Sequence, residues 1–149
     1  MTKWLLMALL SVVLVAAGKP TQDDVSAELK KLSGTWRLVE EIDDGKQMPS
    51  EEAKKNRLTF DVAGRWKVEV DDKVVGEGTA TIDPTSQPKT IDYTFTQGEG
   101  AGTRFVAIYE LNGDSFRHCG VLKGTRPSEF TSKAGSGQIL TTFRREKRD

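Results

Sequence analysis

The chain has 149 residues, 36% hydrophobic and 30% charged, which suits one globular domain with its own core. Its 22 basic and 22 acidic residues balance, so neither a nucleic-acid surface nor an acidic cation store is expected. The lone cysteine excludes an internal disulfide.

The first segment, "MTKWLLMALLSVVLVAA", carries Lys3 and then an apolar run from Trp4 to Ala17. That run matches a signal-peptide core and falls short of the about 20 residues a membrane span needs. Small residues at Val15–Ala17 place the expected cleavage after Ala17, with a retained anchor as the alternative. No cysteine follows directly, which argues against a lipid-anchored form. The expectation is an exported protein, periplasmic or secreted, with no membrane span after cleavage. Loss of Lys3 leaves a net charge of about −1.

Residues 18–33 read as a linker and a short amphipathic helix. Val25, Leu29 and Leu32 recur on one helical face, Thr21 can cap the start, and Asp23 and Asp24 suit the first turn. Gly34 is expected to close the helix in a left-handed cap.

From Gly34 to residue 146 the apolar period is two. "TWRLVEEI" places Trp36, Leu38 and Ile42 on one face and Arg37 and Glu41 on the other. "RLTFDV" gives Leu58 and Phe60. "RWKVEV" gives Trp66, Val68 and Val70. "KVVGEGTATI" gives Gly76, Gly78, Ala80 and Ile82. "KTIDYTFT" gives Ile91, Tyr93 and Phe95. "RFVAIYEL", "DSFRHCGV" and "QILTTFRR" complete eight predicted strands, and residues 147–149 form a tail. "DVAGR", "VDDKV" and "LNGD" are hairpin turns. Two connections are long: "DDGKQMPSEEAKKN", with a helical turn capped by Ser50, and "LKGTRPSEFTSKAGSG". In the latter, Arg126 and Glu129 are expected to pair and Phe130 to anchor the loop. Eight antiparallel strands in sequence order bury one face by closing into an up-and-down barrel. A two-sheet sandwich is the alternative.

Four ordered stretches, "ELKKLSGTWRL", "DPTSQPKTIDYTFT", "AIYELNGDSFRHC" and "RPSEFTSKAGSGQIL", resemble a lipocalin-like domain family of planctomycete bacteria with no assigned biochemical role. The resemblance runs from about Glu28 to Arg145. It implies an all-β, eight-stranded lipocalin-like barrel. It also implies that Trp36, in Gly34-Thr35-Trp36, plugs the closed end. A late basic residue, Arg144 or Arg145, is then expected across that indole as a cation–π contact. The sequence stops just after the last strand, so the helix at 21–33 is expected to cover the barrel in place of the C-terminal helix of true lipocalins. Residues 43–56 would correspond to the lipocalin lid. At Cys119 the family often has cysteine; at His118 it is more often apolar.

Candidate chemistry is sparse. His118 and Cys119 are neighbours, but successive strand residues point to opposite faces. A catalytic dyad or a shared metal site is therefore not expected. Cys119 reads as a packed small residue. His118 reads as a core histidine bonded to a backbone group, with a lumen-lining polar group as the alternative. In the lumen it would be the group able to make binding pH-dependent near neutrality. No G-x-S-x-G, P-loop or H-E-x-x-H occurs, so no cofactor, no metal and no enzyme activity are expected. The candidate lumen consists of Trp66, Val68, Ala80, Tyr93, Phe95, Phe116 and His118. These either line a pocket for a small, largely apolar ligand or fill the core. The expected function is a binding module. The alternative is a packed-barrel structural or protein-interaction domain of the envelope, and a cavity of about 300 Å³ or more would favour the first.

Overall fold

The switch of apolar period at Gly34 marks the change from helix to sheet. The computed structural model describes residues 18–147; the expected signal segment and its cleavage site lie outside them. The elements are α1 (Gln22–Leu32), β1 (Gly34–Asp43), β2 (Lys46–Gln47), α2 (Ser50–Ala53), β3 (Asn56–Phe60), β4 (Arg65–Val70), β5 (Lys73–Asp83), β6 (Lys89–Gly98), β7 (Arg104–Asn112), β8 (Ser115–Val121) and β9 (Ile139–Arg145). Each long strand pairs antiparallel with its neighbour, in the order β1-β3-β4-β5-β6-β7-β8-β9. β9 then pairs back onto β1, from Trp36 opposite Arg145 to Asp43 opposite Ile139. The result is a closed eight-stranded, up-and-down, lipocalin-like barrel. Among the described residues, closure leaves no long strand with an unpaired edge.

Local chemistry explains the turns. Asp71 and Asp72 hold φ of 50° and 63° in the β4–β5 hairpin, the left-handed pair that short Asp side chains tolerate. Asp44 and Gly45 do the same between β1 and β2, with φ of 49° and 81°. That Asp-Gly signal lies inside a segment read from sequence as one long connection, and it produces the extra short strand β2.

The barrel has two unlike ends. α1 covers the end where β1 begins. Its capping box is complete, with Thr21 Oγ1 accepting from the Asp24 amide and Asp24 accepting from the Thr21 amide. Leu29 and Leu32 enter the core beside Trp36, whose indole N–H donates to the Leu32 carbonyl at 2.8 Å. Glu28, also buried, pairs with Lys89 at 2.7 Å and accepts from the Tyr109 hydroxyl. Gly34 is not the helix cap. Ser33 ends α1, and Gly34 opens β1 at φ 119°, where a Cβ would stand 3.1 Å from the Arg145 guanidinium.

At the other end β1 leaves β3 after Arg37 and takes β2 as its partner at Ile42 and Asp43. α2 then bridges back to β3, with Ala53 buried. Ser50 is the first helical residue; Pro49 occupies the cap position without a side-chain bond. The long loop 122–138 lies outside the barrel. Arg126 pairs with Asp92 rather than Glu129 and also donates to the Ala107 carbonyl. Phe130 stacks under Arg117 at 4.1 Å. Cys119 is buried on this outer side and its thiol donates to the Thr131 carbonyl.

Candidate functional site

Aromatic residues from neighbouring strands stack along the barrel axis, starting from the covered end. The Arg145 guanidinium lies 4.2 Å from the Trp36 ring and donates to the carbonyls of Ser33 and Lys31. Arg144 is exposed and takes no part. Above Trp36 sits Phe116, with ring centroids 5.5 Å apart. Above Phe116 come His118 and Phe143, each 5.6 Å from it. This half of the barrel is solid.

The other half is hollow. A cavity of about 240 Å³ opens at the end away from α1. Its walls are Trp66 and Val68 from β4, Tyr93 and Phe95 from β6, Phe105 from β7, Phe143 from β9, and Leu38 and Leu58. His118 and Tyr93 contribute a polar pair, with the hydroxyl 2.9 Å from Nδ1. Thr141, opposite His118 on β9, and Glu41, opposite Thr141 on β1, continue that polar row across the strands. Asn56 and Arg57 contribute from the start of β3, and Leu122 from the end of β8. Trp66 Nε1 is buried without a hydrogen-bond partner among the described residues, an arrangement that costs about 1–3 kcal/mol unless something else accepts from it.

Five of the seven residues expected in the lumen line this cavity: Trp66, Val68, Tyr93, Phe95 and His118. Two do not. Phe116 is fully buried below it, sealed between Trp36 and His118. Ala80 points inward, but its small side chain packs against the core without reaching the cavity. The sequence reading also missed Glu41. The pairing of β1 with β9 slips between Leu38 and Glu40, a bulge that shifts parity by one and re-aims a side chain. Val39 turns outward, and Glu41 joins Leu38 at the cavity. Of residues 43–56, the segment compared with the lipocalin lid, Asn56 lines the cavity; the rest includes β2 and α2, at the same end of the barrel.

Electrostatics follow from burial. Desolvation drives the His118 imidazole down to about 3, so it stays neutral from pH 5 to 8 and cannot act as the neutral-pH switch that its lumen position suggested. It is bonded to a side chain, Tyr93, rather than to the backbone. Burial likewise raises the Tyr93 hydroxyl well above its ordinary value, keeping it protonated. Glu41 is raised as well, first by burial and then by the Asp43 charge, with the Thr141 hydroxyl opposing. The Cys119 thiol is raised by burial, and it lies on the opposite face from His118.

At about 240 Å³ the cavity falls short of the about 300 Å³ expected to favour a binding module over a packed barrel, and of the about 300–1,000 Å³ typical for drug-sized ligands. It exceeds the about 150 Å³ apolar cavity that accepts benzene. A single-ring molecule with a short substituent fits that interval. No protein-family model, curated protein or solved structure matches the chain. No helix among the described residues is long and apolar enough to cross a membrane.

Proposed function

We propose that the protein is an exported, non-catalytic binding module of the planctomycete lipocalin-like kind, holding one small, largely apolar ligand in the open half of its barrel. The observation that carries this reading is the division of the lumen. Large rings fill the half under α1, while the rings of the other half stand around an open, mostly apolar cavity of about 240 Å³. A barrel serving only as a structural or protein-binding unit would fill that half with side chains as it fills the other, because apolar wall left to water forgoes burial and packing contacts. Occupancy by an apolar group recovers that burial and those contacts.

Native mass spectrometry on protein purified from the envelope of an exporting cell tests the reading. The expected result is a chain beginning at Gly18 with a discrete added mass that denaturation releases. Titration with ethylbenzene, followed by calorimetry, complements it and should give saturable one-to-one binding. A bare chain that also ignores ethylbenzene would instead support the packed-barrel alternative. A chain retaining residues 1–17 would overturn signal cleavage.

A further inference from the structure

We infer that the cavity selects a ligand bearing a protonated amine, with the ammonium set against Glu41 and the apolar part among the rings of Trp66, Phe95 and Phe105; this rests on the binding reading above. The bulge at Val39 is the starting point. A regular β1 would leave Glu41 in solvent, where a carboxylate is cheap. The slip between Leu38 and Glu40 turns it toward the mostly apolar cavity. Glu41 is only partly buried there, yet taking a carboxylate even partly out of water costs free energy unless it is paired. Among the described residues, no Lys, Arg or His lies within ion-pair distance of Glu41.

The groups facing Glu41 do not neutralise it. Asp43, two residues along β1, carries the same sign. Thr141 offers a hydroxyl, and His118 beyond it is neutral. Arg57 shares the cavity wall, but its guanidinium is engaged by Asp72 and lies 3.9 Å from Glu69. An anionic ligand would meet Glu41 and would have to compete for Arg57. A neutral ligand would leave the carboxylate unpaired. An organic cation supplies the missing charge, and the negative faces of aromatic rings favour it further.

Phenethylamine, ethylbenzene and phenylacetate share one ring and one chain length and differ in charge, so they separate the cases. Calorimetry at neutral pH on the signal-cleaved protein should give phenethylamine at least about tenfold tighter than ethylbenzene, about 1.4 kcal/mol, with phenylacetate weakest. In Glu41→Gln the amine-to-hydrocarbon ratio should fall to about one. Ethylbenzene binding without an amine preference, or phenylacetate binding tightest, would overturn the inference and leave the apolar cavity standing. An amine preference that survives Glu41→Gln would overturn the assignment to Glu41. No binding by any of the three would remove the binding reading and this inference together. The wild-type ratio decides the charge preference even if the variant fails to fold.

Discussion

Two side chains at the covered end show how one position along a strand separates a structural residue from a solvent-facing one. Arg145 touches the Trp36 ring, donates to two carbonyls at the end of α1 and pairs with Asp114 at 3.2 Å. Arg144, facing outward, does none of this. Cations near a helix C-terminus and donors to its last carbonyls both stabilise it. Arg145→Ala should therefore cost about 2–3 kcal/mol in urea unfolding, from the lost cation–π contact and the two bonds. Arg144→Ala should stay within about 0.5 kcal/mol. Sequence alternation alone left both arginines open, because parity on β9 needs the pairing of Trp36 with Arg145 to fix it. His118 gives a second test. Its folded pKa, about 3, lies below the ordinary 6.5, so the unfolded chain binds the extra proton between those values. Its contribution to stability is complete above pH 6.5 and is lost as pH falls toward 3. Between pH 6.5 and 5 this group alone lowers stability by up to about 1.4 kcal/mol per pH unit, opposed in part by the raised carboxyl of Glu41, which gains stability as pH falls. A His118→Gln variant should lack that slope in urea titrations run across the same window.

Elements differ in how plainly the sequence announces them. β4 alternates cleanly, with Trp66 and Val68 facing the lumen against Arg65, Lys67 and Glu69, and its bounds follow directly. α1 carries its cap and its apolar face in consecutive residues, so it is equally legible. The bulge in β1 is not: Val39-Glu40-Glu41 has no glycine or proline to mark it, and only the register against β9 reveals it. That is why Glu41 could be assigned to the wrong face. β5 lies between these cases. Its glycines recur on the inward face, and the structure gives the reason. Gly78 lies at another slip in register, between β5 and β6. A Cβ there would fall 1.8 Å from the Thr94 carbonyl oxygen and 3.0 Å from the Trp66 ring. Backbone cannot move aside as a flexible side chain can. Gly78→Ala should therefore destabilise at or above the upper end of the about 1–3 kcal/mol typical of overpacking, read as a drop in thermal midpoint. Gly102→Ala, with nothing near its Cβ, tests the other kind of cost. Its φ of 86° makes the change strained without a clash, so its loss should be smaller, on the order of 1–2 kcal/mol.

At the scale of the whole barrel, the important feature is where volume is missing. Which half is solid depends on contacts among Trp36, Phe60, Phe116 and Phe143, on four different strands. No local pattern encodes that sum. The sequence could name inward residues but could not say that Phe116 seals the floor while Phe95 and Phe105 stand around open space. Filling the space therefore tests function separately from fold. Val68 is half-buried on the cavity wall, and Val68→Phe adds a ring toward a volume of about 240 Å³. Cavity-filling changes commonly stabilise by about 0.5–2 kcal/mol when the new side chain finds room. The expected outcome is an unchanged or raised thermal midpoint together with ethylbenzene affinity reduced by tenfold or more. If the midpoint rises and ethylbenzene still binds as in wild type, the hydrocarbon occupies another surface and the barrel lumen is not the ligand site. If the midpoint falls by several degrees while affinity also drops, the walls around Val68 are already close-packed against the inserted ring. The space would then be too small for a ligand of that size, and the packed-barrel alternative would gain the support that the hollow half now withholds from it.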